Sequence, residues 1–320
     1  MNINAQTSEN KEITAKNALK PLIADEDIEA RDVRFTASDG YILTGTLFTA
    51  KAGQPHNNGP LVLVSSATGA PRGFYRSFAR ELVAHGSRGV LTYDYRGLPD
   101  SPRPQGFEGR INMRDWAHRD MPAAIRRLDE EAPGHAMVGI GQSFGGQALG
   151  ICGRPERFQR YCMVATLSGY WRNTSTAWQN LVMMHVIGLP MTALLGRTAR
   201  WMGLGEPIPA TVFRDWARWC FHHEYFFDDP TVGAREGYAR VRMPILSLGM
   251  TDDPWGTPKA IHALMKHYVN ADITERWLTP ENAGGQPIGH LGFFRSRFRD
   301  TLWPSTVSWL LEGPEPPTRP

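Results

Sequence analysis

Residues 136–146 read AMVGIGQSFGG, and this stretch decides the fold. Its apolar beginning predicts a buried strand, and the FGGQALGI that follows the serine predicts a helix. Between the two, residues 141–145 form the pattern G-x-S-x-G around Ser143. On so sharp a turn a serine hydroxyl is exposed, and the small residues around it let the chain fold back without a clash. The stretch predicts a nucleophilic Ser143, since the flanking strand and helix disfavour a glycine-rich turn that carries serine by accident.

Further strand and helix patterns alternate along the chain. Val33–Ala37 and Ile42–Phe48 flank the turn signal Ser38-Asp39-Gly40 and predict a hairpin. Apolar runs predict further strands at Leu61–Ser65, Gly89–Tyr93, Ala136–Ile140, Tyr161–Leu167 and Ile245–Leu248, and the last strand is expected at Ile273–Leu278. Helical periodicity covers Phe74–His85, Met113–Glu131 with an interior Pro122, and Phe293–Leu311. This alternation is typical of an α/β fold with a mostly parallel central sheet and helices on both faces.

The alternation stops in one region. Residues 170–240 lack a strand pattern, are rich in Trp and Met, and divide into helical segments at Gly188-Leu189-Pro190 and Pro207-Ile208-Pro209. We expect an inserted helical cap there. The remaining units are a core of residues 29–169 and 241–312, a flexible N-terminal leader at 1–28 and a tail at 313–320. The aromatic and methionine side chains of the cap either line an apolar pocket or pack the cap onto the core.

One of the ten histidines follows the last predicted strand in a glycine-rich loop. His290 lies in PIGHLGFF, residues 287–294. A base that activates a serine belongs on such a loop above the carboxyl edge of the sheet, although a histidine hydrogen-bonded there for stability gives the same pattern. A second cluster, His222-His223-Glu224 with Asp228 and Asp229, lacks the spacing of a metal motif such as HExxH, so we expect no metal there.

An acid that orients the histidine is expected just past the strand Ile245–Leu248, where two aspartates are adjacent. Counting three residues from Gly249 selects Asp252. The pattern Asp-Pro-aromatic selects Asp253, which we favour. The other aspartate would cap the helix that begins near Thr257 or brace the loop.

Two main-chain amides are candidates for an oxyanion hole. The amide of Phe144 lies at the start of the helix after Ser143, where an oxyanion would form. A second donor is expected in the loop after Leu61–Ser65, and position selects Thr68 or Ala67. A tight structural turn is the competing interpretation of that loop.

Composition narrows the class of protein. The 320 residues are 41% hydrophobic and 21% charged, with a net charge of +3 and dispersed Arg and Lys, which disfavours a nucleic-acid-binding protein. The three cysteines, Cys152, Cys162 and Cys220, form no CxxC pattern and argue against a disulfide scaffold. Residues 1–20 lack the apolar core of a signal peptide, and no apolar run approaches the roughly 20 residues that span a bilayer. We expect a soluble, cytoplasmic protein without a membrane partner.

Five motifs together make residues 33–311 similar to the α/β-hydrolase superfamily. They are SATG at 66–69, DYRG at 94–97, GQSFGG at 141–146, DDPW at 252–255 and IGHLGFFR at 288–295. The chain order Ser143, Asp253, His290 is also that of the superfamily. Leu98-Pro99-Asp100 departs from the usual D-x-R-G-x-G-x-S stretch. The combination of motifs is similar to a group of bacterial predicted serine α/β-hydrolases of unassigned substrate. The resemblance implies cleavage of an ester or thioester and neither a metal nor an organic cofactor.

The expected reaction is acyl transfer to water through an acyl-enzyme on Ser143, with His290 as base and Asp253 as its orienting acid. The cap favours a small ester-like substrate with an apolar or aromatic group. An acyltransferase would use the same residues. A lyase or haloperoxidase-like reaction of the same triad, and a ligand-binding protein with a vestigial triad, are further alternatives. A homo-oligomer is left open.

Overall fold

The computed structural model describes residues 20–54 and 58–314. There, eight strands form one sheet in the order β1-β2-β4-β3-β5-β6-β7-β8. The pairs β1/β2 and β2/β4 are antiparallel, and all other neighbours are parallel. This confirms the predicted α/β class with a mostly parallel sheet. The strands are β1 Ile28–Thr36, β2 Ile42–Ala50, β3 Gly59–Ser65, β4 Ser87–Tyr93, β5 Met137–Gln142, β6 Tyr161–Val164, β7 Ile245–Met250 and β8 Ile273–Leu278.

Helices connect the strands and cover both faces of the sheet. The α-helices are α1 Arg76–Ala84, α2 Met113–Asp115, α3 Met121–Asp129, α4 Phe144–Gln147, α5 Ala177–Leu181, α6 Leu189–Leu195, α7 Ala210–Phe221, α8 Ala234–Ala239, α9 Pro258–Met265, α10 Gly289–Gly292 and α11 Trp303–Glu312. Short 3₁₀ helices lie at Asp25–Asp27, Arg72–Tyr75, Ala148–Ile151, Pro155–Arg157, Trp171–Asn173, Arg200–Met202, Tyr225–Asp228 and Ser296–Phe298.

The strand β3 shows why both faces need cover. Its side chains alternate between the faces, as those of any strand do. Leu61 and Leu63 pack into one apolar core, and Val62 and Val64 pack into the other. All four are fully buried. A strand with apolar side chains on both faces therefore lies in the middle of the sheet, where helices cover it on both sides.

Two helices continue past an interior proline through π-helical turns. Pro122 and Pro190 each lie two residues after such a turn, the first at Trp116–Asp120 and the second at Val182–Gly188. A proline has no N–H for the carbonyl four residues back, and the wider π-turn lets the chain continue past that gap. The helical segments expected on either side of residues 188–190 therefore form a single helix, Ala177–Leu195.

This continuous helix bears on the expectation that no uninterrupted apolar run approaches the length of a membrane span. Ala177–Leu195 has 19 residues and a mean hydropathy of 1.2, so by length and composition it is apolar enough to cross a membrane. Its sequence is not an uninterrupted apolar run, because it contains Gln179, Asn180 and His185. The rest of residues 170–240 contains further helices and no strand, and we call these residues the cap.

Some element boundaries differ from those predicted. β6 ends at Val164 rather than Leu167, because the chain turns at Ala165, which has a φ of 49°. Of the predicted leader, residues 1–19 lie outside the described residues. The described part begins at Lys20, and the Leu22 amide donates a hydrogen bond of 2.7 Å to the carbonyl of Ala84. Residues 315–320 of the predicted tail also lie outside the described residues.

Candidate active site

Ser143 lies directly after β5, on the turn into α4. Its φ is 51° and its ψ is −113°, a conformation that is rare for a residue with a side chain. The Ser143 amide donates a hydrogen bond of 2.9 Å to the Val164 carbonyl, and the Ser143 carbonyl accepts one of 3.1 Å from Gly146. These bonds hold the strained turn between β6 and the new helix.

Close packing of the turn explains the glycines around Ser143. A Cβ on Gly145 would lie 2.0 Å from the main-chain oxygen of Ser65, and a Cβ on Gly141 would lie 2.3 Å from the carbonyl carbon of Gly145. Neither contact is possible between real atoms. Both positions therefore need glycine for the strand, the turn and the helix to approach each other this closely.

His290 and Asp253 are in contact. His290 lies in α10, after β8, and Asp253 lies three residues past the end of β7. The imidazole Nδ1 is 2.7 Å from Asp253 Oδ2. The Asp253 side chain is fully buried, and its Oδ1 accepts a hydrogen bond of 2.8 Å from the Trp255 amide. Burial alone would raise the pKa of Asp253, but the charge and hydrogen bond of His290 outweigh it and lower that pKa.

Asp252 contacts the same loop through different atoms. Its two carboxylate oxygens accept hydrogen bonds from the amides of Ile288, at 2.8 Å, and Gly289, at 3.0 Å. The helix α9 is capped by Thr257, whose side chain accepts from the Ala260 amide at 3.2 Å. Asp252 thus braces the main chain that leads into His290, while Asp253 contacts the imidazole itself.

Ser143 and His290 line one cavity of about 150 Å³. Their side chains are not hydrogen-bonded to each other, although such bonds often tighten only when substrate is bound. The core contributes Thr68 and Trp255 to the wall, among others. The cap contributes Gly203, Leu204, Trp216 and Tyr225.

The two loop amides considered for an oxyanion hole differ in their bonding. The Ala67 amide donates to the Tyr75 hydroxyl at 2.9 Å and is not available to a ligand. Among the described residues, neither the Thr68 amide nor the Phe144 amide has a hydrogen-bond acceptor. Thr68 also lines the cavity that contains Ser143. The structure therefore separates Thr68 from Ala67, which the sequence did not.

Tyr75 and Gln142 connect the loop of Thr68, the turn of Ser143 and the loop of His290. The sequence analysis identified neither residue. The buried Tyr75 hydroxyl donates to Gln142 Oε1 at 2.7 Å. Gln142 Nε2 then donates to the His290 carbonyl at 3.0 Å. A buried amide next to Ser143 inside the G-x-S-x-G pattern was a visible signal for Gln142. Tyr75 had no such signal, because its role depends on contacts with distant loops.

The DYRG motif at residues 94–97 stabilises the loop that follows β4. Arg96, from DYRG, is fully buried, and its Nε donates to Asp120 at 2.7 Å while its Nη1 donates to Asp39 at 2.7 Å. Asp94 accepts a hydrogen bond of 2.6 Å from the Arg72 amide. These bonds hold the loop after β4 and do not reach Ser143.

The histidine cluster considered for a metal stays apart from the cavity. His223 Nδ1 lies 2.8 Å from Glu224, and both histidines of the pair are exposed. Within residues 20–54 and 58–314, no group of three or more His, Cys, Asp or Glu side chains is arranged to hold a metal ion. The three cysteines are free and buried, and burial raises the pKa of each thiol.

Comparison with known proteins decides the family. A family model described as the alpha/beta hydrolase family matches residues 61–298, which include Ser143, Asp253 and His290. The chain belongs to the alpha/beta hydrolase family. A search of curated proteins gives no match to this alpha/beta hydrolase.

Solved structures of esterases are similar to this alpha/beta hydrolase. An acetyl xylan esterase from Paenibacillus sp. R4 is 14% identical with a TM-score of 0.57, covering 96% of this chain and 94% of its own. The Pyrococcus furiosus esterase Pf2001 is 14% identical with a TM-score of 0.56, covering 93% and 97%. Brefeldin A esterase, a bacterial homologue of human hormone sensitive lipase, is 18% identical with a TM-score of 0.55, covering 95% and 82%. At these identities the likeness shows the fold alone.

Proposed function

We propose that this alpha/beta hydrolase is a serine hydrolase that cleaves a carboxylic ester or thioester through an acyl-enzyme on Ser143. One observation carries the proposal. The strained Ser143 shares a cavity with His290, and Nδ1 of this histidine lies 2.7 Å from the buried carboxylate of Asp253. A serine hydroxyl is a weak nucleophile, and this arrangement supplies both the base and the group that orients it.

The proposed reaction has two halves. In the first, His290 Nε2 takes the proton of the Ser143 hydroxyl as Oγ attacks the substrate carbonyl. The Thr68 and Phe144 amides bind the resulting oxyanion. His290 then gives its proton to the leaving alcohol or thiol, and the acyl-enzyme remains. In the second half, His290 takes a proton from water as the water oxygen attacks the acyl carbon. His290 then returns that proton to Ser143 Oγ as the bond from Oγ to the acyl carbon breaks, which releases the carboxylic acid and restores Ser143.

Asp253 contributes to both halves through its charge. Its lowered pKa keeps the carboxylate ionised at neutral pH, beside the imidazole that becomes positive in each transition state. Its bond to Nδ1 also leaves Nε2 as the nitrogen that faces the reaction. This is the reason to assign the acid to Asp253 rather than to Asp252, which contacts main-chain amides.

The wall of the cavity supports an apolar or aromatic acyl group. Trp216, Trp255, Leu204 and Leu291 contribute its larger apolar side chains. These groups favour burial of a hydrophobic substrate and offer no charge to bind a charged one. We therefore propose a small, uncharged ester or thioester.

Intact-mass analysis with a fluorophosphonate probe tests the proposal. We expect a single adduct on the wild-type protein and none on Ser143→Ala. The matched control is Ser168→Ala, which removes a buried serine between two cavity residues, Leu167 and Gly169, and should leave the adduct unchanged. Failure of the wild type to form an adduct, or an adduct that persists on Ser143→Ala, would contradict the proposal.

Product analysis then separates hydrolysis from acyl transfer. The wild-type protein is incubated with an aromatic ester in water and in water that contains a competing alcohol. We expect free carboxylic acid as the main product under both conditions. A new ester as the main product would instead identify an acyltransferase that uses the same residues.

A further inference from the structure

We call the helix Ala177–Leu195 the cap helix. Its buried face is more polar than its exposed face, which is the reverse of the usual arrangement. Its buried residues lie four apart, at Asn180, Met184, Gly188 and Thr192. Two of these four are polar and one is glycine. A surface helix of a globular protein normally buries an apolar stripe and exposes a polar one. The cap helix does the opposite.

The buried face is satisfied within the protein. Asn180 Nδ2 donates to Thr174 Oγ1 at 2.9 Å, and Thr192 Oγ1 donates to the Gly188 carbonyl at 2.8 Å. Gly188 lies so close to Phe213 of α7 that a Cβ would be 2.5 Å from that ring. The two hydrogen bonds stay within the helix and the residues that lead into it, and the close packing of Gly188 on Phe213 holds the helix against α7.

Apart from Gln179, the exposed residues of the cap helix are apolar. The exposed fractions are 67% for Trp178, 66% for Val186 and 80% for Leu194, and Trp201, shortly after the helix, is 61% exposed. Exposed apolar residues are ordinary when single, but a row of them along one helix marks an interaction surface.

The charges around the cap helix are positive. Residues 173–196 contain no Asp, Glu, Lys or Arg. Exposed arginines stand at both ends, with Arg172 before the helix and Arg197 and Arg200 after it. Glu206 is the sole acidic residue between positions 170 and 209, and it pairs with Arg200 at 2.7 Å. An apolar face that ends in tryptophan and arginine is typical of a helix in the interface of an anionic bilayer.

The fold requires such a helix to lie on a bilayer rather than across it. β6 precedes the cap and β7 follows it, and these two strands pair directly, with Tyr161 opposite Ile245. The middle of the cap helix is also attached, since His185 Nε2 is 2.9 Å from the Ala217 carbonyl. A spanning helix would have to break these contacts.

Both ends of the cap helix connect to the active-site cavity. Just before it, the amide and hydroxyl of Ser175 donate to the Pro254 carbonyl at 2.9 and 3.0 Å, between Asp253 and the cavity residue Trp255. Just after it, Gly203 and Leu204 line the cavity. A molecule or surface that binds the apolar face of the helix therefore lies next to the segments that form the cavity wall.

We propose that the apolar face of the cap helix binds an anionic lipid surface, and that the substrate is a lipophilic ester taken from that surface. The substrate half rests on the proposed function. A second copy of this chain is a poorer fit, because a two-fold pairing of the same face brings only basic ends together and offers no free acidic group to either. This proposal replaces the expectation of no membrane partner.

Vesicle flotation with the full-length protein tests the surface. The probes are vesicles of phosphatidylcholine alone and vesicles that also contain phosphatidylglycerol. We expect the wild type and Ser143→Ala to float with the anionic vesicles equally well, and less at high salt. Replacing Trp178, Val186 and Leu194 together by serine should weaken binding on the order of a hundredfold. Replacing Arg172, Arg197 and Arg200 by glutamine should weaken binding to anionic vesicles only.

The matched control replaces three exposed apolar residues outside the cap, Leu22, Ile42 and Val269, by serine, and should bind like the wild type. Each of the surface variants, unlike Ser143→Ala, should cleave a short water-soluble ester at the wild-type rate, which shows that it is folded. The proposal is overturned if the wild type does not float with anionic vesicles. It is also overturned if sedimentation shows a dimer that the cap-helix variant disperses. If the protein floats but the probe does not label Ser143, lipid binding by the cap helix is supported and the proposed function is refuted.

Discussion

The side-chain amide of Gln142 donates a hydrogen bond of 3.0 Å to the main-chain oxygen of His290. Gln142 precedes Ser143, so this bond ties the turn that presents Ser143 to the loop that presents the imidazole. The other end of the same amide accepts from the Tyr75 hydroxyl, which in turn accepts from the Ala67 amide next to Thr68. One buried chain of hydrogen bonds thus sets the spacing of all three loops.

We expect Gln142→Leu and Tyr75→Phe each to lower kcat/KM for an ester substrate by about tenfold to a hundredfold. The reason is that each change breaks the chain of hydrogen bonds and lets the loops move relative to Ser143, and small displacements of reacting groups are costly. Steady-state kinetics provide the measurement, and kcat should fall more than KM rises.

The matched control for Tyr75→Phe is Tyr41→Phe. Tyr41 is equally buried, and its hydroxyl accepts from the Gly97 amide at 3.1 Å and donates to the Ser101 carbonyl at 3.0 Å. This change should lower stability without changing kcat/KM. Equal effects of the two changes on kcat/KM would mean that Tyr75 acts only through stability.

Asp253→Asn should lower kcat by about a thousandfold or more. An amide at this position cannot stabilise a positive imidazole, and it favours the tautomer whose Nε2 carries the proton. The measurement is kcat for an ester substrate, together with the rate of fluorophosphonate labelling of Ser143.

Asp252→Asn is the comparison that separates the two aspartates. It weakens two hydrogen bonds to the amides of Ile288 and Gly289 but leaves the imidazole contact intact. We expect a loss of less than about tenfold in kcat, with a measurable loss of stability. A larger loss of kcat for Asp252→Asn than for Asp253→Asn would overturn the assignment of the acid.

Gly145→Ala should destabilise the protein by about 1–3 kcal/mol or more, because the new methyl group would overlap the main-chain oxygen of Ser65 in the middle of the sheet. Urea unfolding followed by tryptophan fluorescence measures the change. Gly73→Ala is the control, since a Cβ there would meet no atom within 4 Å. A Gly145→Ala protein as stable as the wild type would show that the turn is looser than described.

His267 predicts a pH dependence of stability. Its ring stacks on Phe227 of the cap, with 3.5 Å between the centroids. Burial, followed by the charge of Lys266, lowers the pKa of His267 to about 4, despite the opposing effect of Glu224. The unfolded chain, with a histidine pKa of about 6.5, binds the extra proton first. The free energy of unfolding should therefore fall as pH drops from about 6.5 to about 4.

Urea unfolding at several pH values tests this. The decrease between pH 6.5 and 4 should be smaller in His267→Gln, which cannot take up the proton. His222→Gln, a change of an exposed histidine in the cap, should keep the wild-type decrease. The same slope in His267→Gln and wild type would assign the effect to other groups.

Local patterns were enough to predict the sheet and the turn around Ser143. The inner strands β3, β5, β6 and β7 are short apolar runs, and burial on both faces of a sheet selects such runs. The glycines around Ser143 are needed because neighbouring main chains approach within contact distance. Both are properties of a few consecutive residues, so they are visible before any tertiary contact is known.

Helix ends beside proline were less predictable. Pro122 and Pro190 suggest interruption, yet a π-turn before each lets the helix continue. Whether the chain stops or bridges the gap depends on what the helix packs against. Tertiary contacts with α7 seat the cap helix, and its reversed polarity is visible only once the buried face is known.

The sequence by itself determined that Ser143 stands on a strand-to-helix turn and that His290 follows the last strand. Only the tertiary structure decided that Asp253 rather than Asp252 contacts the imidazole. It also decided that the Thr68 amide is available where the Ala67 amide is not, and that Tyr75 and Gln142 join the loops. The physical reason is that these contacts join residues far apart in the chain. Which of two neighbouring residues makes such a contact depends on small differences in position and rotamer. Residue type and spacing do not determine these differences.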